Sequence, residues 1–128
     1  MARILVVDDE PDVVALVRTI LEAEGHRVQT STHGKGALGA MLIDPPDLLI
    51  LDLMMPELDG FQMLKLLRMD DRTASVPVLI LSARSQTQDQ IGGLQARASA
   101  YICKPFSPKD LVREVRNLLG EADGRPDA

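Results

Sequence analysis

In Leu48-Leu49-Ile50-Leu51-Asp52, four apolar side chains lead straight into one carboxylate. A short unbroken apolar run reads as a strand buried on both faces, because a half-exposed strand would alternate. An ionised group ending such a strand is costly unless it meets solvent or a cation. Alone, Asp52 could be a strand-end acid that caps the next turn. Ile4-Leu5-Val6-Val7, however, leads in the same way to Asp8-Asp9, and Tyr101-Ile102-Cys103 leads to Lys104-Pro105. Val76 to Leu81 ends at Ser82, with Pro77 at the strand's start, where a missing N–H is tolerated. A fifth stretch, His26 to Thr30, is less apolar and suits a sheet edge.

Helical patterns separate these strands. Val13, Leu16, Val17, Ile20 and Leu21 recur at helical spacing after Pro11, a residue suited to the first turn, and Gly25 stands where a helix would stop. A second helix is expected from about Lys35 to Ile43, with Ala37, Leu38, Met41 and Leu42 inward. A third begins near Asp59, a candidate N-cap with Gln62 as its reciprocal partner and Leu58 and Met63 as a staple; Phe61, Leu64 and Leu67 or their neighbours turn to the core. The fourth, Thr87 to Ala96, is polar and contains Gly92-Gly93, each costing about 1 kcal/mol in a helix interior. The fifth is capped by Ser107, with Pro108 and Asp110 in its first turn and Leu111, Val112, Val115, Leu118 and Leu119 inward, and Gly120 ends it. Strand and helix alternating five times predict an α/β fold with a parallel sheet covered on both faces. Right-handed crossovers bring every strand's carboxyl end to one edge. Asp8, Asp9, Asp52, Ser82 and Lys104 should therefore converge where open α/β sheets form their sites.

The 128 residues suffice for one domain with a real core. A net charge of −5 without a basic block argues against a general binder of nucleic acid or anionic membranes. Cys103 is the one cysteine, which excludes an internal disulfide framework and a cysteine zinc site; it reads as a small core residue. His26 and His33 read as surface residues without chemistry. No apolar stretch reaches the ~20 residues of a membrane span, and the chain enters a strand at once, so a soluble cytoplasmic domain is expected.

Three converging carboxylates repel: at an effective dielectric of ~20, a pair ~4 Å apart costs about 4 kcal/mol. Such a cluster raises a pKa or recruits a divalent cation. All-oxygen donors favour Mg²⁺, completed by water and phosphate. A lysine and a hydroxyl opposite the acids add what a phosphoryl group needs, with Asp52 as nucleophile.

The chain resembles the receiver domains of two-component response regulators, of the chemotaxis-receiver kind. The resemblance rests on Val6-Val7-Asp8-Asp9-Glu10-Pro11, on Asp52 with Met55-Pro56 and Asp59-Gly60, on Ser82-Ala83, and on Lys104-Pro105-Phe106, in that order at domain spacing. It covers about Ala2 to Leu119, with 1–120 as the receiver and 121–128 as a polar tail or the start of a linker. It implies a flavodoxin-like (βα)5 fold, sheet order 2-1-3-4-5, and a cis Lys104–Pro105 peptide. It implies that Asp52 accepts phosphate from a sensor histidine kinase or phosphotransfer protein. Asp9, Asp52 and the Met54 backbone carbonyl would ligate Mg²⁺, with Asp8 acting through water. Lys104 would pair with the phosphoryl group, Ser82 would swing to it, and Tyr101 would turn inward behind Ser82. Met54 and Arg84 would tune hydrolysis; neither is a water-positioning acid or amide, which predicts a long-lived phosphoform.

The output surface would be the fourth helix, fifth strand and fifth helix, acting on a downstream output domain or target protein. That surface would also serve a homodimer. In the winged-helix branch, however, acids help join the dimer where this chain has Arg97-Ala98-Ser99-Ala100, which puts that mode in doubt. The domain itself would bind neither nucleic acid nor membrane. It would be no enzyme but a signalling domain that assists its own phosphorylation and dephosphorylation. Two alternatives stand beside this reading. One is a degenerate receiver that only binds a partner. The other is an aspartyl-phosphate phosphatase, against which the adjacent Asp8-Asp9 and the lack of a cap insertion argue.

Overall fold

A computed structural model describes residues 2–52, 54–55, 58–83 and 98–120. Five strands form one parallel sheet: β1 (Arg3–Val7), β2 (Arg27–Ser31), β3 (Leu48–Asp52), β4 (Val78–Ala83) and β5 (Ala100–Lys104), in the order β2-β1-β3-β4-β5. The helices are α1 (Pro11–Ala23), α2 (Gly34–Ile43), α3 (Gly60–Met69) and a C-terminal helix (Pro108–Leu118). The expected Thr87–Ala96 helix, Arg84, Arg97 and residues 121–128 lie outside the described residues. This is the flavodoxin-like arrangement that the family resemblance implies.

Burial follows strand position. All five residues of central β3 are buried, whereas β2 and β5 alternate as edge strands do. Two apolar layers flank the sheet. One joins Leu5, Val7, Leu49 and Leu51 to α2 and α3 through Met41, Met63, Leu64 and Leu67. The other joins Ile4, Val6, Leu48 and Ile50 to α1 and the C-terminal helix through Val17, Leu21, Leu111 and Val115. Alternate residues of each strand thus serve opposite layers.

The local signals account for the helix ends. Pro11 opens α1, and Gly25 lies just past it at φ 92°, a conformation that costs glycine least. Ser107 Oγ accepts the Asp110 N–H at 3.1 Å and caps the C-terminal helix. Arg116 of that helix meets Glu24, just past α1, at 2.7 Å. The Lys104–Pro105 peptide is cis.

Four details differ from expectation. In α1 the inward face is Val14, Val17 and Leu21, and Leu16 is half-exposed. A two-residue antiparallel pair, Met54–Met55 with Leu58–Asp59, precedes α3. His26 is buried and its Nδ1 accepts the Ala2 N–H at 3.2 Å, because β2 starts beside the beginning of β1. Cys103 is exposed, because edge strand β5 turns Tyr101 and Cys103 outward together. Among the described residues no helix is long and apolar enough to cross a membrane.

Candidate functional site

Parallel register gathers the strand ends. Val7 pairs with Leu51, Asp52 with Leu81, and Ala83 with Lys104. Asp8 therefore emerges beside the end of β3, and β5 carries Lys104 to the same edge. Asp8 is fully buried and Asp52 nearly so, while Asp9 and Glu10 stand further out. One carboxylate oxygen from each of Asp8, Asp9, Glu10 and Asp52 lies within 4.8 Å of the others. Lys104 Nζ sits among them, 2.9 Å from Asp8 Oδ2, 3.0 Å from Glu10 Oε1 and 3.4 Å from Asp52 Oδ2.

Asp8 shows how this cluster is balanced. Its Oδ1 accepts the Glu10 N–H at 2.9 Å. Its Oδ2 is buried and meets Lys104 as an ion pair, but the approach lacks the angles of a hydrogen bond. Burial pushes the Asp8 carboxyl above its ordinary value; the Glu10 N–H and the lysine oppose that rise, and the Asp52 charge adds to it. Burial works against the Lys104 charge as well, but Asp8, Glu10 and Asp52 together outweigh it and hold the ammonium above its ordinary value. The lysine is thus a fixed cation facing three acids.

This donor set fits a hard divalent cation. It is made of oxygens alone, and a buried carboxylate oxygen without a directed hydrogen bond is the kind of atom a metal or its water satisfies.

Four of the five residues expected to converge do so: Asp8, Asp9, Asp52 and Lys104. Ser82 lies in β4 in register with Cys103, one residue before the partner of Lys104, so its backbone is at the right edge. The Ser82 hydroxyl and the Asp59 and Phe61 side chains lie outside what is described, and of Met54 only the place in its short strand is described. Tyr101 is 40% exposed on β5. Sequence reasoning gave Glu10 no role, yet its carboxylate belongs to the cluster. The available signal was its position, between a pair of acids and the Pro11 that opens α1.

The model of the response regulator receiver domain matches residues 4–116. The chain belongs to the response regulator receiver family. This receiver is 44% identical over 129 residues to the DNA-binding dual master transcriptional regulator RpaA of Synechocystis, covering all of this chain and 53% of that protein. It is 44% identical over 119 residues to the response regulator SaeR of Staphylococcus epidermidis, covering 93% of this chain and 51% of that one. The chain thus spans about half the length of the curated relatives it matches. A response regulator from Chloroflexus aurantiacus superposes with a TM-score of 0.86 at 34% identity, covering 93% and 98% of the two chains. The chemotaxis protein CheY4 of Vibrio cholerae superposes with a TM-score of 0.85 at 29% identity, covering 93% and 99%.

Proposed function

We propose that this receiver is a phospho-acceptor: Asp52 takes a phosphoryl group from the phosphohistidine of a sensor kinase or phosphotransfer protein. The observation that carries the reading is Lys104 held between Asp52 and the buried Asp8 at one sheet edge. An Asp52 carboxylate oxygen attacks phosphorus while the P–N bond to the donor imidazole breaks, and the imidazole leaves with the electron pair. A carboxylate needs no base to activate it, so the remaining task is electrostatic. Lys104 would exchange carboxylate partners for a phosphoryl oxygen and offset its charge. Asp9, Asp52 and the Met54 carbonyl would hold Mg²⁺, with Asp8 acting through water; when bound, the ion supplies further positive charge at the phosphoryl oxygens.

Ser82 and Tyr101 would transmit the event to the surface that includes β5 and the C-terminal helix. The target of that surface would be an output domain or a separate protein. Residues 1–120 would act as the unit and 121–128 as a tail or the start of a linker, in the cytoplasm. The matched relatives are about twice as long and one is DNA-binding by name, which supports an output domain beyond this segment.

The test is intact mass after incubation with acetyl phosphate and Mg²⁺, beside Asp52→Asn. One phosphoryl adduct is expected, absent from the variant and without Mg²⁺; no adduct on folded wild type overturns the reading in favour of a binding-only receiver. Met54→Glu should shorten the adduct's lifetime, and an unchanged decay would overturn the expectation that Met54 makes the phosphoform long-lived.

A further inference from the structure

Glu10 stands where α1 begins, in the extended backbone of an N-cap (φ −93°, ψ 109°), yet its side chain makes no capping hydrogen bond. Asp, Asn, Ser or Thr at such a position would satisfy an open N–H of the first turn. The Glu10 carboxylate instead reaches across to Lys104, 94 residues away in sequence, at 3.0 Å. The three lysine contacts are unequal. Asp8 is closed off from solvent, Asp52 is nearly so, and the Glu10 side chain is 59% exposed. The ammonium is crowded by all three carboxylates, by ion pair with Asp8 and by hydrogen bond with Glu10 and Asp52, and a phosphoryl oxygen arriving on Asp52 must displace one of them. Leaving Asp8 unpaired strands a buried charge, whereas a released Glu10 returns to water at little cost.

We propose that Glu10 is a positioning residue, a releasable tether that holds Lys104 at the mouth of the site and yields it to the phosphoryl group. This inference rests on the phospho-acceptor reading and names the contact that reading must break. Glu10 competes with the phosphoryl group for the lysine. Removing it leaves Lys104 more available to the acceptor, and the effect passes through the lysine alone.

The experiment is a double-mutant cycle on beryllofluoride binding in saturating Mg²⁺, followed by NMR, with Glu10→Gln, Lys104→Met and the pair. Glu10→Gln should bind beryllofluoride about two- to fivefold more tightly than wild type, the span of a part-exposed ion pair. In the Lys104→Met background the same change should have no effect. Tightening that persists without the lysine would mean plain charge repulsion of the anion, and weakening would mean that Glu10 serves the metal; either overturns the tether. If the Lys104→Met proteins do not bind, solvent exchange of the ¹⁵N-labelled Lys104 ammonium in unliganded protein decides. Faster exchange in Glu10→Gln supports the tether, and identical exchange overturns it. Failure of the wild type to bind beryllofluoride would instead count against the phospho-acceptor reading itself.

Discussion

The two edges of the sheet carry similar residues to opposite ends. At the amino edge, Arg3 pairs with Asp44 at 2.8 Å and its N–H donates to Asp47. Arg68 donates to the carbonyls of Ala74 and Val76, Thr73 Oγ1 donates to Leu67 O at 2.7 Å, and Ser99 exchanges hydrogen bonds with Val78. The Arg3–Asp44 pair lies toward solvent, the partly buried Arg68 has two carbonyl acceptors, and the buried hydroxyl has its own. At the carboxyl edge, buried acids crowd one lysine and Asp8 Oδ2 lacks a directed bond. The amino edge ties the connections between helix and strand together. The carboxyl edge retains an imbalance that a ligand can relieve, and it is there that the proposed phosphoryl transfer would take place.

That contrast can be broken most strongly with metal. Mg²⁺ at 100 times its dissociation constant should raise the urea-unfolding free energy by about 2.7 kcal/mol. Most of that rise should vanish in Asp9→Ala, and all of it should persist in Arg68→Ala. Without metal, Arg68→Ala should lower stability by about 2 kcal/mol, because two carbonyls lose a charged donor. Its Mg²⁺ affinity should match wild type. Thr73→Val should cost about 1–2 kcal/mol by chemical denaturation, again without touching Mg²⁺ binding.

Asp8→Asn should shift stability the other way. A carboxyl raised in the folded state favours folding when protonated, so wild type gains relative to the variant as pH falls. In metal-free buffer Asp8→Asn should be the more stable protein at neutral pH. Its advantage should shrink as pH drops through the raised value and be gone below the ordinary 3.8. A constant difference from pH 7 to 3 would show that the carboxyl edge is not strained by burial. The smallest effect belongs to Arg3→Ala, less than about 1 kcal/mol, since both partners are substantially exposed.

Backbone-level features were legible in the sequence because they are local or periodic. The apolar runs of β1, β3 and β4, the Gly25 stop and the Ser107 cap each follow from a few neighbouring residues. So did the convergence of Asp8, Asp9, Asp52 and Lys104, because parallel topology leaves the strand ends one place to go. What escaped depends on distant partners. His26 is buried only because β1 runs beside it, and Cys103 is exposed because β5 is an edge. Val14 and Leu16 both fit a helical period, and the sheet beneath decides which turns in. Glu10 was passed over because its partner is 94 residues away.

The strand order also bears on how the molecule is made. Lys104 meets partners 52 and 94 residues back along the chain, and in the sheet β4 lies between β3 and β5, so β5 finds its place only once β4 has paired with β3. Contacts of such long range form late and slowly, after the entropy of closing large loops has been met. During synthesis, no chain that stops short of β5 can complete the acidic cluster with its cation. The acidic edge is thus a record of finished folding: its cation arrives only when β5 does.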